Sequence, residues 1–546
     1  MPSDEATTPA PLAVPDPQPP LRWDAWGDGT HETTLPPGAR AIARALLRGS
    51  PHPVPRGDPP VLPASRLGDD DLTALRAAAD ITVDDEPRVR HLGGKSSPDL
   101  LRRRLGIVQA APDAVARPRS HDEVAALLAV CDARRIAVVP FGGGTSVVGG
   151  VEPDGGTDAA TGRRRPVVAV DLARTAALLV LDEVSLLATF GAGTTGPQAE
   201  QLLAAHGLTL GHFPQSFEFA SLGGYAATRS SGQASRGYGR FDDLVHRLRV
   251  AAPAGELDLG RAPRSAAGPD LRELLLGSEG AFGVITEVTV QVRPRPAATG
   301  YGAWTFPDFA SGAEAIRTLT QRGIRPTVIR LSDAVETRVN AALGGHFTRL
   351  RGCLAVATFE AETETDAAAA RLRTAEICAA HGGRDRGDDP ARSWERGRFS
   401  SPGLRDALMD IGVLAETLET ATTWAGLQTL KDAVTTALDA ALSRPIVMCH
   451  ISHVYPAGAS LYFTVVAALG PDPLGQWQRA KDAASRAIED AGGTITHHHA
   501  VGRDHRPYLV DEIGPLGVDL LRAAKRTLDP HGIMNPGVLV AVNGDA

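Results

Sequence analysis

"IAVVPFGGGTSVVGG" spans Ile136 to Gly150. Its first residues are apolar and rich in β-branched side chains, and they run straight into three glycines followed by Thr145 and Ser146. That order predicts a buried strand ending in a tight turn. Glycine lets a backbone take positive φ and approach a ligand closely. Successive N–H groups in such a turn form a nest for phosphate oxygens. The stretch is no Walker A loop, because no Gly-Lys-Ser/Thr follows, and no Rossmann fingerprint, because its glycines do not open a helix. Taken alone, a turn between two strands explains it equally well.

Two further stretches tip that balance. "PQSFEFASLGGYAATRSSGQASRGYGRFDDLV" (214–245) is a long run of small and polar residues that cannot make an apolar core. "LLLGSEGAFGVITEV" (274–288) reads as a helix end, a glycine-rich turn and a strand. Three separated loops of small residues, each held by a strand, suit a large phosphate-containing cofactor, which needs backbone donors and room.

The elements around these loops are legible. "PRSHDEVAALLAVCDARR" predicts a helix capped by Ser120, with Glu123 completing a capping box. "RPVVAVDLAR" and "LLATFGAGTT" predict strands, and "PQAEQLLAAHGL" a helix stopped by Gly207. From about residue 300 the rhythm changes. Ala-rich helices such as "DAAAARLRTAEICAAHGG" alternate with strands such as "CLAVATFEAE" and "LYFTVVAAL", which predicts helices packed on an antiparallel sheet. The expected organisation is a disordered Pro-rich tail (1–20), an N-terminal helical segment (21–110), a cofactor-binding domain (111–296), a substrate or cap domain (297–480) and a mainly helical C-terminal segment (481–546). In the N-terminal segment, Trp23 and Trp26 are expected to pin an irregular stretch ahead of a helix.

Composition narrows the function classes. Hydrophobic residues make up 43% of the 546, enough for a sizeable core. The net charge of −8, with both signs interspersed, argues against nucleic acid as the partner. Four cysteines without a C-x-x-C pair suggest a reducing compartment. With no apolar run long enough for a membrane span and no signal peptide visible, the expectation is a soluble cytoplasmic protein.

The loops resemble those of the vanillyl-alcohol oxidase/PCMH superfamily of FAD enzymes. Within it the chain is most similar to the alkyldihydroxyacetonephosphate synthase (alkylglycerone-phosphate synthase) family. The stretches that carry the likeness include "RWDAWG", "PFGGGTS", "SFEFASLGGYAATRSSG", "YGRFDDLV", "GPDLRELLLGSEGAFGVITE", "VIRLSD", "AETLETATTW", "AGASLYF" and "GGTITHHHAVG". The resemblance implies an α+β fold: a PCMH-type FAD-binding domain of two α/β subdomains, an antiparallel-sheet cap domain and a helical C-terminal segment. It implies that Pro140, Phe141, Gly142, Gly143, Gly144, Thr145 and Ser146 cradle the FAD pyrophosphate. Gln215, Ser216, Phe217, Glu218, Phe219, Ala220 and Ser221, with Thr228, Arg229, Ser230 and Ser231, would line the isoalloxazine and ribityl side. Glu279, Gly280, Ala281, Phe282, Gly283, Val284 and Ile285 would meet the adenine end. Thr145 and Ser146 cannot form a histidyl attachment, so non-covalent FAD is expected.

The implied activity is exchange of the acyl chain of an acyl-dihydroxyacetonephosphate for a fatty alcohol through a flavin N5 adduct, a step of ether lipid synthesis without net redox change. The alternative on the same scaffold is an FAD-dependent oxidoreductase of a 2-hydroxy acid or alcohol. By likeness, Arg330 and Arg405 bind the substrate phosphate and leaving carboxylate, as the planar guanidinium fork suits oxyanions. Tyr462, His497, His498 and His499 are the expected acid/base groups. Expected partners are a small-molecule or lipid-phosphate substrate, with peripheral membrane contact and a homodimer as further expectations, and no nucleic acid.

Blander readings stand beside these. Arg330 could serve a salt bridge at a strand end, Arg405 a solvated helix face, and Tyr462 an apolar core. If "THHHA" is extended, His497 and His499 share one side and His498 takes the other. His450 and His453 could then complete a metal set, yet acid/base work is preferred and no metal is expected. The chain departs from the family pattern at His450, where an Arg is usual, and at Ala500, where a Gly is usual. Its C-terminal "NPGVL" is closer to D-2-hydroxy-acid dehydrogenases, and no peroxisomal address is visible.

Overall fold

The computed structural model describes residues 12–13, 21–30, 33–47, 52–108, 110–158, 161–343 and 351–541. The tail reading for 1–20 falls outside these, except that Leu12–Ala13 pair antiparallel with Ala177 and Leu178.

The opening stretch folds as read. Ala137–Phe141 is a strand, parallel to Val167–Asp171, which in turn pairs parallel with Ala114–Ala116. The short strand Ile81–Thr82 closes this four-stranded sheet from the N-terminal segment. The helix His121–Arg134 covers it, with Ser120 accepting from the Glu123 N–H. The reciprocal half of the box is displaced by one residue, because the Glu123 carboxylate accepts from the Arg119 N–H instead. A second, six-stranded sheet is antiparallel throughout and holds Leu187–Gly191, Val284–Gln291 and Val245–Ala252 at its centre. One apolar core joins both sheets. Two α/β layers that share a core thus place the three glycine-rich loops at neighbouring strand ends.

The second core lies under a seven-stranded antiparallel sheet. Its order runs from Arg384–Asp385 through Ala298–Phe306, Cys353–Ala361, Val328–Ser332, Ile446–Val454 and Gly458–Ala468 to Val413–Thr423. Ala-rich helices cover one face, each burying a single stripe of side chains, as the pattern from residue 300 predicts. The other face meets the cofactor-binding half.

The two terminal segments stitch these halves together. Leu75 of the N-terminal segment lies in the first core, and Leu100 and Leu101 lie in the second. At the other end, Ile533 to Asn535 add to the edge of the strand Ala137–Phe141: Val138 donates to the Ile533 carbonyl, and Asn535 donates back to the Val138 carbonyl. The buried Lys525 ammonium fixes this return by donating to the carbonyls of Ala281 and Met534 and pairing with Asp529. Among the described residues, no helix is long and apolar enough to cross a membrane.

Candidate active site

A cavity of about 1420 Å³ lies between the two halves. One wall is the loop Pro140 to Ser146, together with Gln215, Ser216, Ala220, Ser221, Thr228, Ser230, Ser231, Glu279, Gly280, Gly283, Val284 and Ile285. The loop has no room for larger residues. A Cβ on Gly143 would sit 2.0 Å from the Phe219 carbonyl oxygen, and Gly144 has φ +65 with the Phe141 ring 2.4 Å from where a Cβ would lie. The buried Gln215 Nε2 has no protein partner. A backbone-lined wall with an orphaned donor fits a large cofactor with phosphate and carbonyl acceptors.

Six of the expected cofactor residues face elsewhere. Phe217 stacks on Phe399 at 5.4 Å, Phe219 meets Trp26 edge-on, and Glu218 is exposed. The Arg229 guanidinium pairs with Asp242 and Glu273. Ala281 and Phe282 belong to the first core. Alternation along each loop explains this: a loop that crosses a wall shows only part of its side chains to the cavity.

The opposite wall is the sheet, and its register builds the site. Glu419 pairs with Tyr462, Tyr462 with His450, and His450 with Ser332. Residues directly opposite each other share a face, so these side chains form one row across the strands. Arg330, two positions before Ser332, lies on the same face. Its guanidinium is 2.5 Å from Glu336 and 3.0 Å from the His450 Nδ1. The His450 ring stacks on Tyr462 at 5.0 Å. Arg330 is therefore both a cavity residue and a salt-bridge residue. Burial opposes the charge of Glu336, but Arg330 and then His450 outweigh it and hold its carboxyl down at about 2.

The histidine run is neither strand nor helix, so the alternation expected for an extended stretch does not hold. Residues 497–499 form a bend that wraps around one buried carboxylate. Glu419 accepts from the backbone N–H of His497, His498 and His499 at 2.7 to 3.1 Å, and from the Thr496 hydroxyl at 2.7 Å. Burial opposes its charge, yet the neighbouring histidines, His498 first, hold its carboxyl well below the usual range. The bend sends His498 and His499 into the cavity. His497 turns to Arg240 and Tyr455, which lie 3.2 and 2.7 Å from its Nε2. A guanidinium can only donate, so Nε2 accepts and neutral His497 carries its proton on Nδ1. That atom lies 3.0 Å from the Nδ1 of His498. His498 is thus left to present Nε2.

Burial sets the remaining protonation states. It lowers His450, His453 and His497 below the usual imidazole value and takes His499 down to about 3. Burial, together with Glu416 and Glu419, raises Tyr462 to about 12. At neutral pH the site therefore offers a protonated phenol beside neutral imidazoles, a donor next to acceptors. Nitrogen atoms of His453, His497 and His498 also lie within 4.8 Å of one another. This set differs from the His497/His499 pair that an extended run would give. An ion there would sit beside the Arg240 guanidinium, and the Nδ1 of His453 already faces the Ser231 and Ser235 hydroxyls.

A second buried carboxylate anchors the far end of the same loop. Glu279 accepts from the N–H groups of Val501 and Gly502 at 2.9 Å. Between the two anchors, Ala500 takes φ +75, a conformation that favours glycine. The departure at this position therefore carries backbone strain. Burial pushes the Glu279 carboxyl up to about 7. A raised folded value means that the stabilisation is complete below the unfolded value of about 4.5 and is lost as pH rises through about 7. We expect FAD-free protein to lose on the order of 3 kcal/mol between pH 4.5 and 8 from this group. Glu279→Gln should flatten that slope in denaturant titrations, and an unchanged slope would rule the assignment out.

Arg405 is largely buried, with 11% of its side chain exposed, rather than on a solvated helix face. It lies 2.9 Å from Asp406, donates to the Lys95 carbonyl and reaches the cavity wall. Sequence reasoning missed Glu419, Glu336, Arg240 and Tyr455. The one available signal was the carboxylate pattern inside "AETLETATTW", where Glu419 stands within an apolar strand.

Known proteins share this architecture. A model of the FAD binding domain matches residues 112–258, and a model of the C-terminal domain of FAD linked oxidases matches residues 295–539. The alkyldihydroxyacetonephosphate synthase of Dictyostelium discoideum is 30% identical over 577 residues, covering 95% of this chain and 93% of that protein. A solved structure of an alkyldihydroxyacetonephosphate synthase superposes with a TM-score of 0.81 at 29% identity, over 94% of this chain and 98% of the other. The mitochondrial D-lactate dehydrogenase [cytochrome] of Arabidopsis thaliana is 29% identical over 441 residues, 79% of this chain and 73% of that one. With the glycine-lined wall, the buried acid/base row and likeness along nearly the whole length, the chain belongs to the alkyldihydroxyacetonephosphate synthase family of FAD-binding proteins.

Proposed function

We propose that the protein is an FAD-dependent alkyldihydroxyacetonephosphate synthase-like transferase, with non-covalent FAD, that exchanges an acyl for an alkyl chain on a lipid phosphate. The observation that carries this reading over hydroxy-acid oxidation is an apolar arm of the cavity. The helix Pro37–Leu47 contributes Ile42, Ala43 and Leu46, which line the cavity together with Leu404, Leu408 and Met448. Each methylene buried in such an arm contributes about 0.8 kcal/mol, so it selects a long chain, whereas a small hydroxy acid would leave it unfilled. FAD, when bound, supplies the electrophilic ring against which the exchange at the substrate carbon takes place. Tyr462 is placed to give a proton to the departing carboxylate side and His499 to take one from the incoming alcohol, while His498, whose Nδ1 accepts from His497, offers its Nε2–H as a second donor. The pair Arg330–Glu336 keeps His450 under the Tyr462 ring and so fixes the phenol. The reading extends to contact with a membrane surface, because exposed Arg444 lies beside Ile42 and Leu46, and Arg40 and Arg44 are exposed on the same helix as these two.

The test is an exchange assay on FAD-loaded protein with palmitoyl-dihydroxyacetone phosphate and hexadecanol. Palmitate release with ether formation, and no need for an electron acceptor, is the expected result. Anaerobic bleaching of the flavin by D-lactate or glycolate, without exchange, would replace this reading with the oxidoreductase one.

A further inference from the structure

Exchange of an acyl for an alkyl chain puts one proton on the departing carboxylate and takes one from the incoming alcohol. The donors and acceptors of the cavity must therefore be reset at every turnover, and they are buried. A line of hydrogen bonds runs from behind His498 toward the surface. The Tyr455 hydroxyl lies 2.7 Å from the His497 Nε2, and the His497 Nδ1 lies 3.0 Å from the His498 Nδ1. Of these three side chains, that of His498 lines the cavity, and the other two stand behind it. Tyr455 is half-buried at the turn that joins Ile446–Val454 to Gly458–Ala468, where Pro456 and Ala457 are exposed. The line thus has one end in the cavity and the other near water.

Its direction follows from Arg240. The guanidinium makes the His497 Nε2 an acceptor, so the Tyr455 hydroxyl must donate to it. His497 then donates from Nδ1, and His498 accepts at Nδ1 and offers its Nε2–H to the cavity. Every bond points inward. The backbone holds both outer groups in place. The Tyr455 N–H donates to the Gly458 carbonyl at 2.8 Å, the Tyr455 carbonyl accepts from the Trp424 indole at 3.1 Å, and the His497 N–H is held on Glu419. Burial raises the Tyr455 phenol above its ordinary value, and the Arg240 guanidinium beside it draws it back down. A cation next to the outermost oxygen stabilises the anion that forms there when a proton moves inward.

We propose that Tyr455 and His497 form a proton relay between His498 and water. Tyr462 gives its proton to the departing carboxylate, and the Nε2 proton of His498, whose ring is 6.0 Å from that of Tyr462, replaces it. The His497 Nδ1 proton moves onto the His498 Nδ1, the Tyr455 proton moves onto the His497 Nε2, and solvent reprotonates Tyr455. Every bond then points outward, while Arg240 keeps its bond to the His497 carbonyl at 3.1 Å. The bare Nε2 of His498 takes the alcohol's proton by way of His499, whose ring lies 4.8 Å from its own. The same transfers in reverse pass one proton out to water and restore the first arrangement. One proton enters and one leaves per exchange, and no ring has to flip.

This rests on the transferase reading above, and the assay separates the two. FAD-loaded, full-length wild type, Tyr455→Phe and His497→Ala are compared in the exchange of palmitoyl-dihydroxyacetone phosphate with hexadecanol, at low buffer concentration and then with added imidazole. Tyr455→Phe is expected to keep FAD and KM, to lose about 10- to 100-fold in kcat at low buffer, and to regain most of it when imidazole carries the protons instead. Wild type should not respond to imidazole. His497→Ala leaves the backbone N–H on Glu419 and should show the same loss and rescue, and it decides the case if Tyr455→Phe does not retain FAD. Wild-type kcat in Tyr455→Phe at low buffer overturns the relay and leaves the transferase reading standing. So does a loss that imidazole fails to restore, which is the mark of a purely structural tyrosine. A wild type that performs no exchange removes both.

Discussion

Glu419→Gln should cut turnover at least 100-fold and destabilise the protein by about 3 kcal/mol, while the purified variant still carries FAD. The carboxylate is fully buried and gathers three backbone N–H groups and one hydroxyl. Replacing the Oε2 oxygen by an amide NH₂ turns a donor toward the His497 N–H, leaving the new NH₂ without an acceptor there and the amide with only its longer 3.0 Å contact to Oε1. A buried unsatisfied donor costs about 1–3 kcal/mol, and the loss of charge assistance on the other bonds adds to this. The bend that aims His498 and His499 into the cavity loses its template, so activity falls further than stability. Glu419 acts through the histidines and not on substrate, which makes it a positioning residue. Its signature is pH dependence. Because the folded carboxyl lies well below its ordinary value, its stabilisation is complete above about pH 4.5 and is lost as pH falls below that. The stability gap between wild type and Glu419→Gln should therefore narrow on acidification. A constant gap, or a variant with wild-type turnover, would sink the argument.

Tyr462→Phe and His498→Ala should each keep bound FAD and lose about 10²- to 10⁴-fold in turnover, the usual reach of a positioned proton donor or acceptor. Phe preserves the ring that stacks on His450 at 5.0 Å, so the first variant isolates the hydroxyl. With burial holding the phenol near 12, the group stays protonated across the physiological range, and its removal should not create a new pH dependence near neutrality. His498→Ala breaks the Nδ1 contact to His497 but leaves the backbone N–H on Glu419 in place. Flavin absorbance against protein concentration, read beside the exchange rate, separates the two effects. Normal turnover in either variant would show that the acid/base row lies off the reaction path.

The cofactor wall was legible because its signals are local. A strand followed by glycines is written in adjacent letters, and Pro140 to Ser146 line the cavity as read. The sheet domain was legible from its rhythm, although not its strand order. The acid/base row was only half visible. Tyr462, Arg330 and the histidines could be named, but Glu419 could not, because its role depends on amides that the chain brings back after the whole sheet has formed. The shape of "THHHA" was undecidable from periodicity, since a bend imposed by a buried carboxylate leaves no pattern in the bend itself.

The histidine loop also decides how the two halves come apart. Glu279 belongs to the cofactor-binding half and Glu419 to the seven-stranded sheet, and both hold amides of one short segment. Neither half can lose its fold without stripping a carboxylate from that segment and leaving the amides of the other half's loop bare. Local opening in one half is thereby transmitted to the other as a shared denaturation event. The boundary between the two matched domains is a boundary in ancestry and not in folding. A fragment cut near residue 296 would part Glu279 from the amides it holds, leaving each piece with one end of a joint and nothing to close it.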